Sequence, residues 1–210
     1  MPNWCANTLT LTHADPTMIV RAKESFERGE LLNEFIPVPE DLKIESSPGT
    51  TSEELQAQYD ANTKKHGYST WYDFSVGQWG TKWDIGSDDG IQIWDDNEIT
   101  FYFDSAWSPP IIAYETFEEL GFKVYATYYE SGMCYCGIYE DGHDDYYDLS
   151  DMSSQEVIDT VPQELDESFG ISECMAEYEA ENQDEVTAWY KDGVEETGLV
   201  PHEPPKKEKK

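Results

Sequence analysis

The chain has 210 residues, of which 38% are hydrophobic and 14% aromatic, so it is long enough for one packed domain with or without an extension. It contains 45 Asp and Glu against 13 Lys and Arg, a net charge of −32 at pH 7. A charge of this sign and size repels nucleic-acid phosphates and anionic membranes, which argues against direct binding to DNA, RNA or lipid.

The chain shows no sign of a membrane span or an export signal. No stretch approaches the roughly 20 apolar residues that cross a bilayer, and residues 1 to 5 lack the basic and apolar regions of a signal peptide. We therefore expect a cytoplasmic protein. Its four cysteines are too few for a disulfide scaffold, and we interpret them as reduced core residues: Cys5, Cys134, Cys136 and Cys174.

The N-terminal part predicts a strand followed by a helix. Residues 3 to 12 alternate between two sets of side chains, which is typical of a strand. Asp15 is a suitable helix N-cap, Pro16 fits the first helical position, and apolar residues recur on one face until Gly29. Two prolines between residues 31 and 42 exclude a regular helix there, so we expect a packed loop.

The middle of the chain predicts a polar helix and then strands. The helix runs from about residue 52 to 67, and a strand is expected around residues 82 to 86, after glycines that interrupt any long helix. Residues 91 to 94 and 98 to 104 flank an Asp-Asp-Asn turn, which predicts a hairpin.

A second helix and a second hairpin follow. The helix opens after the prolines at 109 and 110 and stops at Gly121. Strands at 122 to 130 and 134 to 140 are joined by Ser131-Gly132. The order β-α-(insert)-β-β-α-β-β predicts an α+β fold: a ferredoxin-like split βαβ antiparallel sheet with helices on one face.

The domain organisation follows from a change in composition near residue 140. We expect a ferredoxin-like domain over residues 1 to 141, with an inserted region at about 30 to 80. An acidic helical C-terminal extension covers 142 to 196, and a disordered Pro- and Lys-rich tail covers 197 to 210. Residues 140 to 196 hold twenty acidic residues and one basic residue, a local charge of 1 − 20 = −19.

Four ordered stretches resemble the Api92-like family over roughly residues 1 to 141. The resemblance implies a ferredoxin-like domain, no established activity, no catalytic residues to carry over, and an origin in phages and conjugative plasmids. Small acidic proteins of such elements often block host defence or DNA-handling enzymes. The stretches are Met1-Pro2-Asn3-Trp4-Cys5 with Asn7, Trp79-Gly80-Thr81-Lys82-Trp83-Asp84, Ala106-Trp107-Ser108-Pro109-Pro110, and Tyr129-Glu130-Ser131-Gly132.

The acidic segment is the main candidate site. Twenty charges over 57 residues, at about 1.5 Å of helical rise, come to roughly one per 4 Å, against about 3.4 Å along one DNA strand. This density predicts a DNA mimic that inhibits a host nucleic-acid-binding or defence enzyme by filling its basic groove. The alternatives are adaptation to high salt and an undirected solvated surface. The candidate partner-binding residues are Asp144, Asp145, Tyr146, Tyr147, Asp148, Asp151, Glu156, Asp159, Glu164, Asp166, Glu167, Glu173, Glu177 and Glu181.

Other residue groups have weaker interpretations. Lys82 lies between tryptophans, which favours a cation–π contact, and Asp84 is close enough in sequence to pair with it. A tyrosine cluster on and after the last strands belongs mostly to the core, with some members available for an interface. Its members are Tyr125, Tyr128, Tyr129, Tyr135, Tyr139, Tyr146 and Tyr147.

The sequence predicts no cofactor, no metal and no enzymatic activity. The acidic residues from Asp141 to Asp148 do not have EF-hand spacing, Cys134 and Cys136 lack a second ligand pair, and no nucleophile elbow is present. The rival to the mimic is a non-catalytic assembly protein that forms a homodimer through its sheet. A metal enzyme dependent on acids near Asp144 is a third hypothesis, and the sequence leaves the partner and oligomeric state open.

Overall fold

The structure is a computed structural model that describes residues 3–44, 52–87 and 89–182. The chain divides into two compact units, Met1–Ser150 and Asp151–Lys210. The predicted tail at 197–210 and the part of the predicted extension from residue 183 onward lie outside the described residues.

The described residues of the first unit form one sheet of six strands, every neighbouring pair of which is antiparallel. The order across the sheet is β2-β3-β1-β4-β5-β6, which confirms a mixed fold of helices and an antiparallel sheet. The strands are β1 Trp4–Thr12, β2 Ile91–Trp94, β3 Glu98–Ala106, β4 Lys123–Glu130, β5 Tyr135–Glu140 and β6 His143–Asp148.

Strand β1 lies between β3 and β4, and its alternation determines which face of the sheet is buried. Leu9 is opposite Phe101 on β3 and Ala126 on β4, and all three side chains are buried. Directly opposite residues point to the same face of a sheet. The buried set of β1 is therefore Cys5, Asn7, Leu9 and Leu11.

Two helices cover this face. Helix α1 (Pro16–Glu27) begins as predicted, since the Asp15 carboxylate accepts a hydrogen bond from the Thr17 amide at 2.9 Å. Helix α5 (Ile111–Glu119) follows the two prolines, and apolar residues of both helices join one core cluster with the sheet. The other helices of this unit are α2 Leu31–Phe35, α3 Glu53–His66 and α4 Trp71–Gln78, with a 3₁₀ turn at Glu40–Leu42.

Two predictions for the inserted region are wrong. Residues 31 to 42 contain α2 and the 3₁₀ turn, because the prolines at 37 and 39 follow the end of α2 instead of interrupting it. Residues 82 to 86 form no strand. There the Asp84 side chain accepts hydrogen bonds from the amides of Leu32 and Asn33, so this segment contacts the start of α2 instead of pairing in the sheet.

The sixth strand is a further correction, because it occupies the start of the predicted helical extension. Glu140 pairs with His143, so only Asp141 and Gly142 form the loop of the β5-β6 hairpin. Both loop residues have positive φ, +52° and +74°. Asp-Gly is typical of two-residue hairpin loops with that backbone, which explains why the chain turns back into the sheet.

The described part of the second unit is helical. It contains α6 (Ser154–Thr160), α7 (Gln163–Phe169) and helical residues 171 to 182. Ser153 and Glu156 form a capping box at the start of α6. The buried apolar residues of this unit are Val157, Val161, Leu165 and Ile171. Of the helices in the described ranges, none has the length and apolar character needed to cross a membrane.

The close approach of Gly86 to α1 provides a test of the fold. Its φ is +146°, and a Cβ there would lie 2.8 Å from Gly29 Cα and closer still to the Phe26 carbonyl oxygen. We expect Gly86→Ala to lower the free energy of unfolding by about 3 kcal/mol, as measured by urea denaturation. The control is Gly67→Ala, which has φ +82° and open space around the Cβ position, and should cost only about 1 kcal/mol. Equal losses for the two variants would contradict the predicted packing of Gly86.

Candidate functional site

The first group of predicted partner-binding residues lies on β6, at one edge of the sheet. Successive side chains of a strand point to opposite faces, so Asp145 and Tyr147 lie on the face opposite to Asp144, Tyr146 and Asp148. Tyr146 is 55% exposed, and its ring stacks on that of Tyr135 with centroids 5.4 Å apart. The strand therefore does not present all five side chains to one partner surface.

Asp144 has a structural partner within the sheet. The Tyr128 hydroxyl donates a hydrogen bond to its carboxylate at 2.7 Å. Gly137 on β5 makes room for this contact, because a Cβ there would collide with the Tyr128 hydroxyl. Desolvation by burial raises the pKa of the Asp144 carboxyl. Asp144 therefore contributes to strand packing as well as to surface charge.

The other predicted partner-binding residues lie in the second unit, and one of them, Asp166, is buried and not available to a partner. Asp166 is only 9% exposed, and it accepts hydrogen bonds from the amide and the hydroxyl of Ser172 at 2.7 and 2.6 Å. It connects α7 to the next helical segment and is not on the surface. The exposed members are Asp151, Glu156, Asp159, Glu164, Glu167, Glu173, Glu177 and Glu181.

Some exposed carboxylates also act as local caps. Glu156 accepts hydrogen bonds from the amide and the hydroxyl of Ser153, and the amide contact lowers the pKa of the Glu156 carboxyl. Glu179, which sequence reasoning left out of the site, accepts from the amide and the hydroxyl of Ser154 at 2.8 and 2.7 Å. These residues retain their charge while holding helix ends together.

Three glutamates form a row on the last described helix. Glu173, Glu177 and Glu181 are four residues apart and exposed, so they share one side of the helix at steps of about 6 Å. Like charges at this spacing destabilise a helix. Local helix stability therefore does not explain the row.

Residues 151 to 182 differ from the first unit in the number of cations that accompany their acidic residues. Residues 151 to 182 contain ten acidic residues and no Lys or Arg. In the first unit, Glu34 is held by Arg21 at 2.7 Å and by Arg28 at 3.2 Å. The carboxylates of the described second unit therefore have no Lys or Arg partner within their own described segment.

A cleft in the first unit is a second candidate site, which sequence reasoning did not identify. It has a volume of about 380 Å³ and is lined by three indole rings, four charged side chains and four smaller residues. Residues 79 to 84, one of the four stretches that resemble the Api92-like family, supply four of the lining residues. The principal lining residues are Trp71, Trp79, Trp83, Lys43, Lys82 and Asp84.

Lys82 makes the predicted cation–π contacts. Its Nζ lies 4.5 Å from the ring centroid of Trp83 and 5.8 Å from that of Tyr72. The predicted pairing with Asp84 is wrong, because that carboxylate is bound to backbone. It accepts from the amides at positions 32, 33 and 85 at 2.7, 3.0 and 2.9 Å, while desolvation by burial raises the pKa of the Asp84 carboxyl.

The stretches that resemble the Api92-like family meet beside the cleft. The Thr81 hydroxyl donates to the Ala106 carbonyl at 3.0 Å, and the Ser108 hydroxyl donates to the Gly80 carbonyl at 2.6 Å. The Trp107 amide donates to the Asn3 carbonyl at 3.0 Å. In the fourth stretch, the buried Glu130 carboxylate accepts from the amides at 132 and 133 at 2.8 and 2.6 Å. The first three stretches therefore form one connected region, and the fourth is ordered by its own turn.

The remaining predicted groups have varied positions. Tyr128 and Tyr139 are buried, Tyr146 is exposed, and the other tyrosines of the cluster are partly buried.

Cys5 and Cys136 are core residues as predicted, and desolvation by burial raises the pKa of the Cys5 thiol to about 12. Cys134 and Cys174 are exposed, so their assignment to the core is wrong. Within the described ranges, no three His, Cys, Asp or Glu side chains are grouped to hold a metal ion.

Comparisons with known proteins give one structural similarity. No family model matches the chain, and no curated protein matches it. The chain is similar to the crystal structure of a protein api92 from Yersinia pseudotuberculosis, of family DUF1281, at 11% identity and a TM-score of 0.38. The match covers 72% of this chain and 99% of that chain.

Removing the Asp84 carboxylate should destabilise the cleft. Asp84→Ala leaves three amides without their acceptor, and we expect the free energy of unfolding to fall by about 2 kcal/mol in urea denaturation. Glu24→Ala, at an exposed position of α1, should change it by less than about 0.5 kcal/mol. Equal effects at the two positions would show that Asp84 does not anchor α2.

The opposite pKa shifts of two aspartates can be measured directly. We expect the Asp84 carboxyl to titrate above its ordinary value of 3.8, because burial disfavours its charged form. Asp15 should titrate below 3.8, because the Thr17 amide and hydroxyl donate to its charged form. Carboxyl ¹³C chemical shifts recorded against pH measure both values, and a midpoint for Asp84 at or below that of Asp15 would contradict the assigned burial.

Proposed function

We propose that this chain is a non-catalytic binding protein that inhibits a host nucleic-acid-binding or defence enzyme by occupying its basic groove in place of DNA. The observation that carries the proposal is the acidity of residues 151 to 182, which hold ten acidic residues and no Lys or Arg. The exposed row of Glu173, Glu177 and Glu181 is the most regular part of that surface.

The acidic surface lowers the stability of the isolated protein in two ways. Like charges four residues apart weaken a helix, and a large net charge repels itself in the compact state. Both costs fall when the carboxylates face a cationic groove, and complementary charge also accelerates association. A merely soluble surface needs far less charge than −32. The arrangement is therefore better explained by a cationic partner than by solubility.

The spacing of the row sets how closely it resembles DNA. Steps of about 6 Å compare with about 3.4 Å between phosphates along one strand, so the row alone has roughly half the axial charge density of a strand. Other exposed carboxylates of the same unit, at positions 151, 159, 164 and 167, add to this density. The proposed mimicry therefore depends on the unit as a whole and not on one helix.

The fold and setting form part of the same proposal. The order β2-β3-β1-β4 supports a ferredoxin-like split βαβ arrangement, to which β5 and β6 are added at one edge. Together with the four sequence stretches, it supports membership of the Api92-like family, a phage or plasmid origin and a role in the host cytoplasm.

The rival function is assembly of a homodimer through the sheet. The edges of the sheet argue against strand pairing between copies, because β6 carries three aspartates and β2 has only four residues. Charged and short edge strands oppose edge-to-edge association. Sedimentation at low and high salt distinguishes the two functions, since a stable dimer that binds no basic-groove enzyme supports assembly.

A competition experiment tests the mimic directly. A panel of purified host enzymes with basic DNA-binding grooves is loaded with a fluorescent DNA duplex, and displacement is followed by anisotropy as the protein is added. We expect displacement from at least one enzyme, with an affinity that falls steeply as salt rises. The triple variant Glu173→Gln, Glu177→Gln, Glu181→Gln should weaken displacement by about tenfold.

The matched control removes three charges from exposed positions of the first unit by Glu24→Gln, Asp96→Asn and Glu119→Gln. It should displace DNA within about threefold of the unmodified protein, since total charge then changes equally but the row is intact. Equal weakening by both triple variants would assign the effect to net charge alone. Failure to displace DNA from every enzyme at low salt would overturn the proposal.

A further inference from the structure

The indole-lined cleft of the first unit has the dimensions and lining of a small-molecule site. Its volume of about 380 Å³ falls within the range of about 300 to 1,000 Å³ that is common for ligand pockets. Such pockets are lined mainly by apolar and aromatic side chains with a few polar groups. Trp71, Trp79 and Trp83 supply the aromatic part, Lys43 and Lys82 supply two cations, and the carboxylates of Glu30 and Asp84 also line the cleft.

The walls of the cleft are held in place without a ligand. Trp79 is 4% exposed, and its indole N–H donates to the Ile36 carbonyl at 3.0 Å. Asp84 holds the start of α2 through two amides and its own loop through the Ile85 amide. A site that is already ordered loses less conformational entropy when a ligand binds.

Lys82 supplies a cation that the protein itself does not neutralise. No carboxylate among the described residues lies within salt-bridge distance of its Nζ, although the chain has 45 acidic residues. Asp84, two residues further along the chain, is bound to backbone amides. Two rings hold the ammonium group instead, and Trp83 keeps 39% of its surface exposed. The cleft thus joins a cation without a carboxylate partner to an indole ring that is partly exposed and also contacts the Trp4 ring at a centroid distance of 5.8 Å.

Lys82 also borders a second cavity of about 220 Å³, which is lined by Tyr72, Val76 and Trp107 among others. An anionic group near its Nζ therefore has space on either side of the lysine. The net charge of the protein does not prevent such binding, because distant charges are screened beyond about 8 Å at physiological ionic strength. A small anion also carries far less charge than a nucleic acid.

We propose that this cleft binds a small anionic ligand with a planar aromatic ring, of the class of a purine mononucleotide. The ring stacks on the exposed indole of Trp83, and the anionic group binds the Lys82 ammonium. Aromatic side chains stack with any nucleobase, and lysine binds phosphate as a point charge. This inference does not depend on the acidic surface of the second unit.

Titration with three probes tests the two parts of the recognition. AMP supplies ring and anion, adenosine supplies the ring alone, and inorganic phosphate supplies the anion alone. Tryptophan fluorescence and calorimetry should show saturable AMP binding, with adenosine and phosphate at least about tenfold weaker. Absence of saturable AMP binding up to about 1 mM overturns the proposal, as does equal affinity for AMP and phosphate.

Variants locate the binding. Lys82→Gln should reduce the affinity for AMP to the level of the affinity for adenosine, and it should leave adenosine binding unchanged. Trp83→Leu should weaken the binding of AMP and the binding of adenosine. The control Lys64→Gln changes an exposed lysine on α3 that is outside the cleft, and it should leave all affinities unchanged. Near-ultraviolet circular dichroism checks that each variant is folded. Unchanged AMP affinity in folded Lys82→Gln would refute the assignment.

The acidic triple variant separates this site from the proposed function. Glu173→Gln, Glu177→Gln, Glu181→Gln should bind AMP as the unmodified protein does, even where it fails to displace DNA from an enzyme. A loss of AMP binding in that variant would contradict an independent site.

Discussion

The structure depends on hydrogen bonds from backbone amides to carboxylates, because the chain has too few cations to pair its acidic residues. Asp84, Glu130 and Asp166 each accept two or more hydrogen bonds, all or partly from amides. Carboxylates accept such bonds strongly, and burial without them would be costly. The contacts hold the start of α2, the β4-β5 turn and the region between α7 and the next helix, so the acidic composition is used to build the fold.

The cations that exist are distributed unevenly, and this determines where charge remains. Arg21 and Arg28 both contact Glu34 in the first unit, whereas residues 151 to 182 contain no Lys or Arg. Surface salt bridges add little stability, but they neutralise the local field. The acidic residues of the first unit are therefore partly compensated, whereas residues 151 to 182 contribute only negative charge. That difference, more than the total charge, supports a cationic macromolecular partner.

The cleft presents the positive charge of Lys82, whereas the surface of residues 151 to 182 is negatively charged. In the cleft, aromatic rings replace carboxylates as the neighbours of a lysine, which keeps a positive group available in an acidic protein. Two of the sequence motifs are linked by hydrogen bonds close to this lysine. The Thr81 hydroxyl donates to the Ala106 carbonyl, and the Ser108 hydroxyl donates to the Gly80 carbonyl. The same contacts that maintain the fold also order the proposed ligand site.

The sequence by itself determined the elements whose signals are local. Alternation predicted β1, a cap and a proline predicted α1, and turn residues predicted the β2-β3 hairpin, because the deciding contacts lie within a few residues. It also predicted the acidic candidate residues, since charge is a property of composition. Only the tertiary structure decided that β6 joins the sheet, that Asp84 binds α2 instead of Lys82, and that Asp166 is buried. These outcomes depend on which distant amides and strands come within hydrogen-bonding distance, and local periodicity carries no information about such pairings.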